Sequence, residues 1–344
     1  EARAFRDTLD GERPPDLLLY GPSGTGKSLT VKSVAEKVKE RAREANISFD
    51  YVSVNFKTME SYTLDRAVWK LGKQTAKRAG VSWDIPQKGV STDEKYVRLY
   101  DIADRHFDAL VFILDEIDAI GNDDYILYEL PRAEPEDVRL SIIGITNDLQ
   151  FRENLDADVR SSLGEDEIEF APYDANQLRD ILARRAAGAL RDTEIGDDDR
   201  PFTTLASDVL TDDVIPLTSA LAAQDSGDAR EAIKLLFRAC RFADDDGESP
   251  ITEHHVRNAH QYLEQAAVER GIQSLPLQRA LALLTVTHAT LTGTKQPETK
   301  DLHALYQTFC EHIDARAISG RRFRDKLNDL ADSSILAKDT RGRG

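Results

Sequence analysis

Eight consecutive residues, Gly21-Pro22-Ser23-Gly24-Thr25-Gly26-Lys27-Ser28, have the types and spacing to hold a polyphosphate. The glycines let backbone N–H groups crowd inward around an anion. Lys27 supplies a cation for the β- and γ-phosphates, and the Ser28 hydroxyl is a ligand for Mg²⁺. The pattern needs a strand before it and a helix after it. Leu17-Leu18-Leu19-Tyr20 reads as the strand, and a helix runs from Lys27 to about residue 38. Its first turn, with Leu29, adds unpaired donors and the positive end of a dipole.

A second cluster lies about 90 residues on, in Leu110-Val111-Phe112-Ile113-Leu114-Asp115-Glu116-Ile117-Asp118. Five apolar residues in a row suit a strand covered on both faces, as in a parallel sheet. The carboxylates at its C-terminal end stand where open α/β sheets place their chemistry. Asp115 there orients Mg²⁺, and Glu116 polarises a water for attack on the γ-phosphate. A third run, Leu140-Ser141-Ile142-Ile143-Gly144-Ile145-Thr146-Asn147-Asp148, also ends in polar residues. Asn147 can hydrogen-bond the γ-phosphate or the attacking water, although an asparagine there is also an ordinary turn former.

The elements that must carry these groups follow from periodicity. Further strands are expected near 49–54 and 167–170, with helices over 63–79 and 93–106, the latter capped by Ser91 or Thr92. Trp69 is expected in the core. Strands alternating with helices mean a parallel α/β sheet. From Ala175 onward the strand signal disappears, and 175–191, 205–223, 228–243 and 252–268 read as helices. Arg230, near the start of the third, is either a solvated charge or a group that swings over the nucleotide from a helical lid. The last 70 residues read as three helices, 277–291, 300–313 and 320–330, followed by a short strand at 334–338 and a basic turn. That order makes a winged helix whose third helix enters the major groove. Phe323, Leu327 and Leu330 share one face of it. Arg321, Arg322, Arg324 and Lys326 can point outward, and Arg341 and Arg343 sit on the wing.

Charge sharpens this reading. The chain of 344 residues carries a net charge of −17. Residues 275–344 alone carry +3, so the remainder carries −20. An acidic body with a basic tip offers a polyanion one docking place. Runs such as Asp197-Asp198-Asp199 and Asp244-Asp245-Asp246 suggest a salt-rich cytoplasm. The two cysteines, Cys240 and Cys310, fit neither a disulfide framework nor zinc-ligand spacing. No apolar run approaches 18 residues and no leader pattern is present, so no membrane partner is expected. The start at Glu1 rather than Met suggests a missing N-terminal piece.

With these residues in view, the chain resembles archaeal replication initiators of the origin-recognition and cell-division-control family. The resemblance rests on residues 21–28, Leu-Asp-Glu-Ile-Asp at 114–118, Ile-Thr-Asn-Asp at 145–148, Leu-Asp-x-x-Val-Arg-Ser-Ser-Leu at 155–163, Pro-Tyr-Asp-Ala-x-Gln-Leu at 172–178 and Gly-Asp-Ala-Arg at 227–230. It implies an AAA+ P-loop parallel-sheet domain over 1–171, a helical lid over 172–272 and a winged helix over 273–344. It makes Asn147 the first sensor and Arg230 the second, and it leaves Arg160 as the arginine that would act on a neighbour's nucleotide. It also implies a helical insert that touches DNA, matched here by the loop and helix around Gly89 to Tyr96.

The implied activity is slow hydrolysis of ATP to ADP with Mg²⁺, working as a switch. The implied partners are double-stranded origin DNA, the replicative minichromosome-maintenance helicase and further initiator copies on DNA, in a cytoplasmic, nucleoid-associated setting. Two alternatives stay open: a DNA-binding regulator or silent paralogue that holds nucleotide structurally, and a ring-forming AAA+ remodeller of clamp-loader or transposition type.

Overall fold

The computed structural model describes residues 8, 12–58, 63–121, 124–133, 135–163, 166–196, 203–293, 297–332 and 335–336. The chain divides into two compact units, Glu1–Val256 and Arg257–Gly344.

The first unit is built on five parallel strands: β1 (Leu17–Tyr20), β2 (Phe49–Asn55), β3 (Ala109–Asp115), β4 (Arg139–Thr146) and β5 (Glu167–Glu169), in the order β2-β3-β4-β1-β5. Because side chains alternate along a strand, parity in the sequence sorts the two faces. Leu18, Val52, Val54, Leu110, Phe112, Leu114, Leu140 and Ile142 share one buried cluster. Leu17, Leu19, Tyr51, Val111, Ile113, Ile143 and Ile145 share another. Helix α1 (Lys27–Glu44) covers the odd face with Val31, Ala35, Val38 and Ala42. Helices α2 (Leu64–Ala79) and α3 (Thr92–His106) cover the even face. Thr63 caps α2 by accepting from Arg66 N, and Ser91 caps α3 by accepting from Glu94 N. Two shorter helices follow on this side of the chain, α4 (Tyr125–Arg132) and α5 (Ala157–Ser162).

The later part of the same unit, expected as the lid, holds α6 (Ala175–Ala189), α7 (Val214–Asp225) and α8 (Ala229–Asp246). Helix α9 (Glu253–Gln273) runs from the first unit into the second. The second unit packs α10 (Leu277–Leu291), α11 (Thr299–His312) and α12 (Gly320–Asp332) around Leu281, Leu302, Tyr306, Phe323 and Leu330. No helix among the described residues is long and apolar enough to cross a membrane.

Four expectations need correction. Helix α1 continues to Glu44, because Ala42 extends the buried stripe past the last branched residue. Strands do occur after Ala175: β6 (Thr193–Ile195) pairs antiparallel with β7 (Leu205–Ser207), so 205–207 is strand and the helix begins only at Val214. Three-residue strands are too short to show a period, and this pair is fastened by Thr193 Oγ1 and Ser207 Oγ at 2.7 Å. Trp69 is half-buried at the margin of the core, donating its Nε1 to Ile85 O with Lys73 over its ring. The packed tryptophan is Trp83, and Gly72 makes room for it: a Cβ there would lie 2.1 Å from the indole.

Lastly, Ile335 and Leu336 do not form a strand. Their amides fold back onto Leu330 O at 2.9 and 3.2 Å. The rest of the expected wing, with Arg341 and Arg343, lies outside the described residues.

Gly72→Ala should therefore lever Trp83 out of its seat. We expect a loss of about 1–3 kcal/mol in denaturant unfolding of the first unit, with a red shift of the tryptophan emission in the folded state.

Candidate functional site

The parallel sheet brings its strand ends to one edge. Tyr20 pairs with Thr146, Asp115 with Ile145 and Asn55 with Asp115, so the residues that follow β1 and β4 and those that end β2 and β3 meet there. A cavity of about 620 Å³ opens at this edge, within the size range of nucleotide-sized sites. Gly24, Thr25, Gly26, Lys27, Ser28 and Leu29 line it, together with Asp115, Glu116, Asn147 and Arg230.

Helix α1 starts without a side-chain cap and without an acidic residue in its first turn. By contrast Thr63, Ser91, Asp174 and Asp228 cap α2, α3, α6 and α8. Its free amides and dipole face the cavity, as an anion site requires. Gly26 reaches this start in the left-handed region, φ 83°, where a side chain would be strained and would meet Tyr173 Oη at 2.7 Å.

Lys27 is buried and donates to Gly21 O at 2.6 Å, Pro22 O at 2.7 Å and Asn147 Oδ1 at 2.9 Å. Burial pulls its ammonium below the usual lysine range, Asp115 opposes that and Arg230 adds to it. Ser28 Oγ donates to Asp115 Oδ1 at 2.9 Å. Hydroxyl and carboxylate thus stand side by side, a donor set that suits a hard divalent cation.

Glu116 leaves the β3 line by adopting φ 56°, ψ 49°, a left-handed conformation uncommon outside glycine. That turn sets its carboxylate against the cavity, 3.7 Å from Lys57 Nζ. Lys57 also lies 3.6 Å from Asp118, whose Oδ1 accepts from Thr146 Oγ1 at 3.1 Å and from Asn147 N at 3.5 Å. Asn147 is in this way held from its backbone by Asp118 and from its side chain by Lys27.

The lid closes the other side of the cavity. Tyr173 Oη donates to Thr25 O at 2.9 Å, and Ala229 N donates to Gly24 O at 3.3 Å. Asp228 caps α8 and presses so close to Gly24 that a Cβ there would sit 1.7 Å from its carboxylate. Arg230 reaches the loop at Ser23 Oγ, 3.4 Å away. Tyr173, Ile181, Arg184, Arg185, Ile233 and Asn55 also line the cavity. Of these only Tyr173 fell within a motif noted from the sequence. The α6 residues belong to a helix read only for its length, and Asn55 is legible only once β2 is known to flank β3.

Arg160 is absent from this lining. Its guanidinium donates to Glu153 O and Leu155 O, both at 3.1 Å, closing the helical turn Phe151–Asn154. In the second unit, Arg321, Arg322 and Arg324 are exposed on α12 opposite buried Phe323 and Leu330. Lys326 instead pairs with Asp329 at 3.0 Å, and Asp329 also holds Arg279 of α10 at 2.9 Å.

The first unit carries a cationic surface that the reading of a purely acidic body missed. Lys70, Lys73 and Lys77 recur along α2 at helical spacing and line an open groove of about 1,420 Å³ with Arg78 and Lys39. Arg78 and Lys39 share Asp50, whereas no carboxylate pairs with the three lysines among the described residues. Burial and the Arg66 charge pull Lys70 below the usual lysine range.

Comparison with known proteins agrees with this geometry. Residues 17–171 match the ATPase family associated with various cellular activities (AAA). Residues 198–261 match the Cdc6 AAA+ ATPase-type lid domain, and residues 270–344 the CDC6 C-terminal winged helix domain. The chain is 36% identical to an ORC1-type DNA replication protein of Pyrococcus furiosus, across 99% of this chain and 79% of that protein. It is also 36% identical to ORC1-type DNA replication protein 5 of Halobacterium salinarum, with the same coverage. Among solved structures, the Aeropyrum pernix ORC1 protein in complex with DNA superposes with a TM-score of 0.71 at 31% identity, covering 99% of this chain and 84% of that one. The chain belongs to the ORC1-type DNA replication proteins, nucleotide-binding AAA+ ATPases with a Cdc6-type lid and winged helix.

Proposed function

We propose that this initiator uses ATP as a switch: the nucleotide sets the pose of the lid while separate cationic surfaces hold origin DNA. The observation that carries the proposal is one cavity in which Lys27, Ser28, Asp115, Glu116 and Asn147 of the sheet domain meet Arg230 of the lid.

ATP is the substrate. Its phosphates would lie against the bare amides of α1, and their oxygens would replace the Gly21 and Pro22 carbonyls as partners of Lys27. Ser28 and Asp115 would hold Mg²⁺, which supplies charge neutralisation at the β- and γ-oxygens. Glu116 accepts the proton of the attacking water, and Asn147 orients that water or the γ-phosphate. Arg230 senses the terminal phosphate from a helix whose cap already touches the loop. Arg160 can serve a neighbouring copy only after it releases the two carbonyls it holds, so turnover in an isolated chain is slow.

For DNA, Arg321, Arg322 and Arg324 form the reading face of α12, and the Lys70–Lys73–Lys77 stripe supports phosphate contacts from the first unit. Around Gly89 to Tyr96, Tyr96 is buried, and Lys95 is buried with Asp65 and Gln87 O. Contact there would fall to the exposed Lys88 and Gly89. The chain would act at the nucleoid, beside further initiator copies, and its cargo would be the replicative minichromosome-maintenance helicase.

Glu116→Gln should keep ATP binding but slow single-turnover phosphate release by about 100-fold or more; release at the unaltered rate would remove Glu116 from the chemistry. Lys27→Ala should abolish turnover while leaving duplex affinity within about twofold, checked by fluorescence anisotropy. Replacing Arg321, Arg322 and Arg324 by alanine should flatten the slope of log K against log salt by roughly 2–3. An unchanged slope would place the phosphate contacts elsewhere.

A further inference from the structure

The groove along α2 carries more than positive charge. Strand β2 lies under it, and β2 pairs with β3 alone, at the outer edge of the sheet. Ser53 and Asn55 of that strand line the groove, and an edge strand keeps unpaired backbone groups on its open side. Helix α2 forms one wall. Lys70 and Lys77, with Lys73 between them, stand about 10 Å apart along the helix axis. Such a row suits a linear polyanion better than a single phosphate group. None of the three lysines makes an ion pair among the described residues, whereas Lys39 and Arg78 share Asp50.

The aromatic groups decide which polyanion fits. The chain has two tryptophans, and both line this groove. Trp83 is seated against Gly72. Trp69 is half-buried, and its Nε1 donates to Ile85 O at 2.9 Å, which fixes the plane of the indole. Lys73 Nζ lies 4.9 Å from the centre of that ring, over its face. An exposed lysine can turn from the ring to a phosphate and leave the face to a flat partner. A duplex keeps its bases stacked inside and would show the groove phosphates only. An acidic peptide has carboxylates but no planar base. An unpaired strand offers phosphates to the lysines and a base to the indole at the same time.

We propose that the α2 groove is a binding site for unpaired DNA, with Lys70, Lys73 and Lys77 on its phosphates and Trp69 stacked on a base. This deepens the proposed function, in which the same lysines meet phosphates, by specifying the form of the DNA. Duplex contact stays with Arg321, Arg322 and Arg324. A site that takes the unpaired form stabilises an opened stretch and draws the duplex toward it.

The test uses the full chain with Arg321, Arg322 and Arg324 changed to alanine, which removes duplex contact by α12 from the measurement. A short labelled oligothymidine is titrated in, followed by anisotropy and by the intrinsic tryptophan emission. Binding should quench that emission, and an abasic oligomer of the same length should bind about fivefold or more weakly. Adding K70A/K73A/K77A should flatten the slope of log K against log salt by roughly 2. W69L should lose about fivefold or more in affinity, whereas W69F, which keeps a ring but not the bond to Ile85 O, should retain most of it. Equal losses in W69L and W69F would reduce Trp69 to a structural part and overturn the stacking. Binding without quenching, an unchanged salt slope in the lysine variant, or a duplex held as tightly as the single strand would each overturn the proposal. A tenfold preference for oligouridine would overturn the assignment to DNA. Duplex titration of the parent chain is a separate arm: unaltered duplex affinity after the three arginine changes would count against the proposed function and leave this site standing.

Discussion

Backbone against backbone, the lid meets the phosphate loop at Gly24. Ala229 N donates to Gly24 O, the carboxylate of Asp228 occupies the space a side chain would need, and Tyr173, just before α6, reaches Thr25 O. Any movement of this loop thus pulls on the cap of α8. Asp228 bonds the amides of Arg230 and Glu231, so Arg230 and the loop share one close-packed corner. Close contact leaves little slack, because packed interfaces shift between discrete arrangements rather than deform continuously.

The same corner explains why Lys27 is tolerated where it is. An ammonium withdrawn from water is costly unless its donors are met, and here two loop carbonyls and Asn147 meet them. Those acceptors tie the segments that follow two strands, β1 and β4, to one cation. Asp118 fastens Asn147 from the other side, and Lys57 bridges Asp118 to Glu116. Glu116, Asp118, Asn147 and Lys27 form one connected set, so a change at one of them is felt by the others.

Much of this was legible before any coordinates. Strands β1, β3 and β4 could be read because each is a dense apolar run whose side chains are buried. The loop and the Asp115–Glu116 pair could be read because phosphate and metal chemistry restrict residue type at fixed spacing. What escaped depends on neighbours far away in sequence. Half-buried Trp83 rather than Trp69 packs against the core because Gly72, eleven residues earlier, leaves room for it. The β6–β7 pair is too short to carry a period, and only pairing creates it. Arg184 and Arg185 look like any charged helical pair until α6 is placed over the cavity. Net charge hid the α2 stripe as well: a sum over the chain cannot show that three lysines make no ion pair among the described residues.

The central claim is that the terminal phosphate, read by Arg230, sets where the lid stands. The direct measurement is the distance between spin labels at Glu40 on α1 and Asp245 on α8, with Cys240 replaced, in ADP and in a non-hydrolysable ATP analogue. The account predicts two distinct distances in the parent chain, merging into one when Arg230 is changed to alanine. A single distance in both nucleotides with Arg230 intact would contradict it.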